Sequence, residues 1–468
     1  MNLIKEIENV INVSFEKQNY IDIEANSRVF NRIGYTIESY NINNDEFNSK
    51  VSTLSKTFCY PENPNCCSCP IQMFCRNGRE LKKETMDKKI PFIDLFCGAG
   101  GLSVGLEQYN FEPIFALDFD LSASKSYLFN RPFLSESSFY NGDIKEFLLH
   151  NDLPKAPVIV GGPPCQGFSN ANRQRLSDDP RNILYKDFIQ CVQKSEANLC
   201  VIENVPGMLK VENQVIQDFA DIGFMIKPFP FNTKDFGYPQ NRNRVFWLGI
   251  KTTNIILFNQ ICNLFESVLY ERMYSSDFNL EDAICDLPPL EAKTLKNSTN
   301  IENEKWGYTI AEQRIFDSSY SNLLNNGRLE SFLFNHRTKY NNDRDIEIYR
   351  RLLPGEKSDA KSIQDIMPYK SRNEIFKDKF YKLEPQKPSK TITAHMYYDC
   401  HMYIHPYQAR GLTPREAARI QGFPDNYYFL GRPNEWYRQV GNAVSPLASR
   451  HIGKALERIL TEYEDEIL

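Results

Sequence analysis

The 468-residue sequence predicts an α/β fold with parallel strands, at least between residues 91 and 250. Three observations carry that expectation. Short apolar runs of strand type recur through this stretch, enough chain for a crossover helix separates each from the next, and glycine-rich turns follow two of them. Strands alternating with helix-length segments are the pattern of βαβ units. The composition agrees: 41% hydrophobic, 25% charged and 13% aromatic residues describe an ordinary globular chain. Lys and Arg total 55 against 60 Asp and Glu, so the net charge of −5 argues against a general polyanion-binding coat but leaves room for a local basic face. No apolar run approaches the ~18 residues of a membrane helix. The N-terminal MNLIKEIENVINVSFEKQ carries charges throughout, unlike a secretion signal. A cytoplasmic protein with no membrane partner is expected.

Taken in order, residues 3–11 place Ile4, Ile7, Val10 and Ile11 at helical spacing. Five of the twelve cysteines then crowd into residues 59–75. In a chain without a secretion signal, such a cluster reads as a metal site before a disulfide framework. The polar, basic RNGRELKKETMDKK has the character of a linker. At Pro91 the pattern changes, and PFIDLFCGAGGLSVGLEQY reads as buried strand, glycine turn and helix. IFALDFD (114–120), APVIVGG (156–162), NLCVIENV (198–205) and RVFWLGI (244–250) are further strands. Residues 251–385 lose this rhythm and read as a separate, irregular domain rich in Asn, Lys, Arg, Glu and aromatics. In LTPREAARIQGF, Thr413 as cap, Pro414 in the first turn and Glu416 as capping-box partner mark a helix start.

Chemistry concentrates at the ends of these strands. Gly98, Gly100 and Gly101 let a ligand approach the backbone, and the helix after them offers free N–H groups. Asp118 and Asp120 end the next strand about 20 residues later, where an acid that binds ribose hydroxyls is usual; Asp143 follows a third candidate strand. In GGPPCQGFS (161–169), Cys165 lies just past a strand in a loop stiffened by Pro163 and Pro164. A nucleophilic thiolate needs cations nearby. Arg242 and Arg244 of QNRNR point the same way if that segment is extended, and Glu203 caps the strand that ends in ENV.

These residues resemble the cytosine-5 DNA methyltransferase family. The matches are DLFCGAGG (94–101), GGPPCQGFS (161–169), DPRNILY (179–185), ENV (203–205), QNRNR (240–244), LTPREAARIQGFPDNY (412–427) and QVGNAVSP (439–446), in the family's order. One departure is Asp118, where glutamate is common. The resemblance implies a Rossmann-like S-adenosylmethionine-dependent methyltransferase fold. A catalytic domain over 91–250 would be followed by a target-recognition domain over 251–385 and a return to the catalytic domain over 386–468. It implies Cys165 as nucleophile towards cytosine carbon 6, Glu203 at ring N3, Arg244 at the carbonyl oxygen and Arg242 in support of the loop. S-adenosylmethionine would lie over Phe96, Gly98, Gly100, Gly101 and Leu102. Its ribose would rest on Asp118 beside Phe119 and its adenine near Asp143 and Ile144, with Pro163, Leu184, Asn442 and Val444 completing the set. Chemistry on a stacked base requires that the base be flipped out of double-stranded DNA. Gln166, Ser169 and Arg173 are the candidates for filling the gap and gripping the backbone, and HRTKYNNDRD (336–345) is a candidate base-reading segment. A cognate restriction endonuclease acting separately is the expected biological partner. A tRNA cytosine-5 methyltransferase and a non-catalytic DNA-binding homologue are the alternatives.

Cys59, Cys66, Cys69 and Cys75 have the spacing C-x6-C-x2-C-x5-C, with a proline directly after the third. Structural zinc sites usually pair two short knuckles, and only one is present here. The pattern resembles the iron–sulfur loop of helix-hairpin-helix DNA glycosylases, which implies a 4Fe–4S cluster, with zinc as the alternative, in an N-terminal helical module over residues 1–90.

Overall fold

The computed structural model describes residues 29, 48, 51–52, 54–55, 59, 75, 89–131, 134–164, 184–298, 300–312, 318–327, 332–368 and 379–467. The helix expected at 3–11 and the loop carrying Cys165, Gln166, Ser169 and Arg173 lie outside them, as do Cys66 and Cys69. Cys59 and Cys75 lie inside, and among the described residues no group of three or more His, Cys, Asp or Glu is placed to hold a metal ion.

Residues 90–251 alternate strand and helix: β1 (Ile90–Leu95), α1 (Gly101–Leu106), β2 (Phe111–Asp118), α2 (Leu121–Phe129), β3 (Phe139–Asn141), α3 (Ile144–His150), β4 (Val158–Gly161), α4 (Leu184–Lys194), β5 (Leu199–Asn204), α5 (Glu212–Ala220), β6 (Phe224–Asn232), the two-residue β7 (Gln240–Asn241) and β8 (Asn243–Lys251). Seven of these strands form one sheet in the order β3-β2-β1-β4-β5-β8-β6. The pairs from β3 to β5 are parallel, whereas β8 runs antiparallel to both neighbours, so the parallel expectation holds up to β5 and breaks at β8. The apolar runs are nearly continuous because both faces are covered. Val158, Val160, Leu199 and Val201 enter one core, while Ile159, Cys200 and Ile202 point into the other. β6 was not anticipated, because FMIKPFPFN carries Pro228 and Pro230. It is an edge strand, where prolines are tolerated.

The chain continues with α6 (Ile255–Leu269) and α7 (Leu280–Ile284). The hairpin β9 (Gly307–Glu312) and β10 (Phe332–Arg337) brackets α8 (Ser319–Leu324), and α9 (Asp343–Arg351) follows. Phe258, Ile261 and Phe265 of α6 join the main core, so the first part of the 251–385 stretch packs with the sheet. Ile348, Tyr349, Leu352, Ile363, Met367 and Phe380 form a small core of their own with Ile404. The chain returns at β11 (Ser389–Lys390), which pairs with β7. It ends in α10 (Pro414–Gln421), α11 (Pro433–Asn442), α12 (Pro446–Glu462) and a last short turn of helix. At α10 the Thr413–Glu416 capping box and the N1 proline are present as the sequence predicts. No helix among the described residues is long and apolar enough to cross a membrane.

Candidate active site

In an open α/β sheet the ligand crevice lies at the carboxyl ends of the strands, where the strand order reverses. Here that point falls between β1, whose chain proceeds outward to β2 and β3, and β4, from which it proceeds the other way. The glycine turn leaves β1 and the GGPPC loop leaves β4, so the two sequence-predicted features flank one crevice.

The turn is tightly wound. Phe96 has φ 54° and Gly100 φ 86°, both left-handed, which a non-glycine residue such as Phe96 adopts only when its surroundings impose it. A Cβ on Gly100 would stand 2.5 Å from Arg131 Nη1, and one on Gly101 would stand 2.1 Å from the Val444 carbonyl oxygen. Above Gly98 the space is open. The Gly98 N–H donates to Asp118 Oδ2 at 2.7 Å and the Asp120 N–H to Oδ1 at 2.7 Å. Burial nevertheless pushes the Asp118 carboxyl up to about 6. Phe119 presents a ring that is 77% exposed, beside a groove of about 460 Å3 that also reaches Leu121, Lys125 and Arg438. Asp120 is not an idle surface acid: it caps α2 and pairs with Arg438 at 2.8 Å. Asp143 caps α3, and Ile144 behind it is buried. Leu184 stands half-buried at the start of α4. Open space over Gly98, an exposed aromatic ring and a carboxylate at the strand end suit a nucleoside-bearing cofactor.

On the other side of the crevice, Asn204 Nδ2 donates to the Pro163 carbonyl at 3.1 Å and fixes the start of the GGPPC loop. Positions next to Gly162 look towards Val444 Cγ2 and Glu203 Oε2, 3.6 and 3.7 Å from where a Cβ would stand. Glu203 is the next-to-last residue of β5, and its Oε1 lies 2.7 Å from Arg244 Nε. The pair is close but not aligned, since Glu203 Oε1 has no hydrogen-bond partner among the described residues. Arg242 behaves differently from Arg244. It is buried and donates to the carbonyls of Ile392 at 3.1 Å and Ala443 at 2.8 Å, a strut between β7, the returning chain and the loop after α11. Burial, followed by the neighbouring Arg244 charge, brings its guanidinium down to about 9. Asn442 is exposed and Val444 half-buried at the same edge.

Glu203, Arg244, Gly162 and Val444 therefore converge, and the turn after β1 shares their edge. Three side chains at the start of the 336–345 segment depart from expectation. His336 is buried between Thr413 and the Pro288 carbonyl, Arg337 pairs with Glu302, and Lys339 donates to the Met396 and Tyr397 carbonyls. These side chains hold the structure together from inside and are not free to read bases. Sequence reasoning missed Asp94, Tyr127, Arg131 and Tyr427, which lie beneath the glycine turn. Asp94 is fully buried, accepts from Ser103 Oγ at 2.5 Å, and burial pushes it up to about 7.

The sheet order with its single reversed strand, and a crevice between a glycine turn and an acid–arginine pair, define a Rossmann-like α/β methyltransferase. Residues 90–458 match the family model described as C-5 cytosine-specific DNA methylase. The chain belongs to that family and is a DNA cytosine-5 methyltransferase. It is 31% identical over 402 residues to the type II methyltransferase M.DdeI of Desulfomicrobium norvegicum, covering 80% of this chain and 89% of the relative. It is 28% identical over 432 residues to M1.HphI of Haemophilus parahaemolyticus, covering 90% and 98%. Among solved structures, a prophage-encoded E. coli protein described as a DNA modification methyltransferase superposes with a TM-score of 0.56 at 27% identity, over 80% of this chain and 100% of that one.

Proposed function

We propose that the chain methylates one cytosine within a specific sequence of double-stranded DNA in the cytoplasm, as the modification half of a restriction–modification pair whose endonuclease acts separately. The type II relatives support that role. The observation that carries the site assignment is the Glu203–Arg244 pair beside Gly162, three residues before Cys165. Carbon 5 of cytosine is a poor nucleophile, and addition of the Cys165 thiolate to carbon 6 makes it enamine-like. Glu203 holds a proton against ring N3, so that charge does not build up on the ring as sulfur adds. Arg244 binds the carbonyl oxygen and favours the thiolate, while Arg242 keeps the strand and the returning chain in place. S-adenosylmethionine, when bound, supplies an electrophilic methyl group. Phe96, Gly98, Gly100, Gly101 and Leu102 form its bed, Asp118 receives the ribose hydroxyls beside Phe119, Asp143 and Ile144 lie towards the adenine, and Pro163, Leu184, Asn442 and Val444 close the pocket. Once carbon 5 carries the methyl group, its proton passes to water, the electrons of that C–H bond re-form the carbon 5–carbon 6 double bond, and Cys165 leaves carbon 6 as the thiolate. The target base must leave the stack, and Gln166, Ser169 and Arg173 are the residues assigned to the gap and the backbone.

Duplex DNA containing 5-fluorocytosine tests this reading, because fluorine at carbon 5 cannot leave as a proton does. A covalent protein–DNA adduct on a denaturing gel is expected, and Cys165→Ala should abolish it; no adduct with the wild type, or methyl transfer to tRNA alone, refutes the reading. For the N-terminal module, the spacing of Cys59, Cys66, Cys69 and Cys75 supports a 4Fe–4S cluster. A brown protein absorbing broadly near about 400 nm is expected of such a cluster, and a colourless protein with stoichiometric zinc gives the site to the other metal.

A further inference from the structure

The residues beneath the glycine turn have no part in the chemistry above, yet they are fully organised. Arg131 is buried, stacks over the Tyr127 ring at 4.0 Å and forks onto both oxygens of Glu107 at 2.8 Å each. Its Nη2 also donates to the Gly100 carbonyl at 3.1 Å, and its Nη1 donates to the Tyr427 hydroxyl at 3.0 Å. That hydroxyl in turn donates to the Ala99 carbonyl. Two consecutive carbonyls of a left-handed turn are thus held from below, one by tyrosine and one by arginine.

Tyr427 begins a short segment gripped from both sides. The Asn130 side chain makes a reciprocal pair with the Tyr428 backbone, at 3.0 and 2.8 Å, and Asn130 adjoins Arg131. The Asn335 side chain makes the same reciprocal pair with Phe429, at 3.0 and 2.9 Å, and Asn335 belongs to β10 of the hairpin. Arg415 closes the arrangement by donating to the carbonyls of Phe334 and Tyr427. One side of the segment is therefore spliced to the element that leads into Arg131 and the other to the 307–337 hairpin.

The geometry points to Tyr427 as a positioning residue for the cofactor turn, holding its carbonyls directly and through Arg131, and so coupling the seating of the hairpin to cofactor affinity. This rests on the reading that the turn beds S-adenosylmethionine. Removing the hydroxyl leaves the Ala99 carbonyl without that donor in a buried place, and the turn relaxes while the ring stays packed.

The test is the Kd of S-adenosylmethionine for the full chain by titration calorimetry, alongside steady-state kinetics. Tyr427→Phe is expected to weaken cofactor binding roughly three- to tenfold, the effect of one hydrogen bond. The cofactor KM should rise in step, while kcat and the KM for duplex DNA stay near wild type. Arg131→Lys, which keeps the charge and loses the fork, should weaken the cofactor in the same direction, and it decides the matter if Tyr427→Phe does not fold. Asn335→Ala should do so more mildly. Unchanged cofactor affinity in Tyr427→Phe and Arg131→Lys, or equal rises in the cofactor and DNA KM values, overturns the inference. Phe96→Ala separates the two levels. If it weakens the cofactor and the other two do not, only the role of Tyr427 falls; if it too has no effect, the bed itself is misplaced.

Discussion

Arginine and carboxylate are paired in two different ways in the returning chain and at the sheet edge. In the returning chain, Arg419 grips Asp425 at 2.7 and 2.9 Å and also reaches Asp286, and Arg410 forks onto Glu416 at 2.8 and 2.7 Å. These groups are almost wholly buried, and their hydrogen-bonding capacity is used. At the sheet edge, Arg244 and Glu203 share one 2.7 Å contact, with side chains 18% and 11% exposed, and among the described residues Glu203 Oε1 lacks an aligned donor. A saturated pair fixes the chain because breaking it strands a buried charge. An unsaturated pair at a crevice keeps capacity for something that arrives later. The same residue types therefore divide into scaffold and site by how completely each is partnered.

Exchanging the two kinds of effect is the sharpest way to break this contrast. Glu203→Gln should lower kcat by roughly 10²–10⁴-fold, the usual worth of positioned acid–base help, with the unfolding midpoint barely moved. A normal kcat would place Glu203 with the scaffold. Arg419→Ala should do the reverse, losing ~3–5 kcal/mol of stability in urea unfolding by removing the buried guanidinium that Asp425 and Asp286 share. A loss under about 1 kcal/mol, the scale of an exposed pair, would erase the distinction.

Acid titration sharpens it further. Arg410 and Arg419 hold the Glu416 and Asp425 carboxyls below their ordinary values of 4.5 and 3.8, against the opposing push of burial. Their contribution to stability is full above those values and fades as pH falls through the lower folded ones. Asp118 lies on the other side of the ledger, pushed up to about 6 by burial. The carboxylate is the better acceptor for ribose hydroxyls, so cofactor affinity should be full above that pH and fall by up to about tenfold per unit below it. Asp118→Asn should flatten the profile, and a profile still sloping in that variant would assign the proton elsewhere. The smallest effect belongs to the α10 cap: Thr413→Ala should cost about 1 kcal/mol of unfolding free energy without altering kcat.

Strands β1, β2, β4, β5 and β8 were legible because a sheet buried on both faces writes continuous apolar runs. Glu203 and Arg244 were legible because strand ends in such a sheet converge. The reversed direction of β8 was not, since an apolar run carries no sign of its direction. Nor was the role of Arg131, whose partner Tyr427 is 296 residues away and announces nothing locally. His336, Arg337 and Lys339 misled for a related reason: a charged string reads as surface until the elements that bury it are known. Cys165, the residue the sequence marked most clearly, lies outside the described residues.

The prolines of β6 carry one more implication. Pro228 and Pro230 sit two apart and so face the same way, with Phe229 between them in the register to β8. The rim they leave lacks amide donors at both positions, and a neighbouring copy has little there to zip onto. A sheet that ends this way is guarded against self-templated stacking, which matters for a chain whose other rim begins with a strand of only three residues.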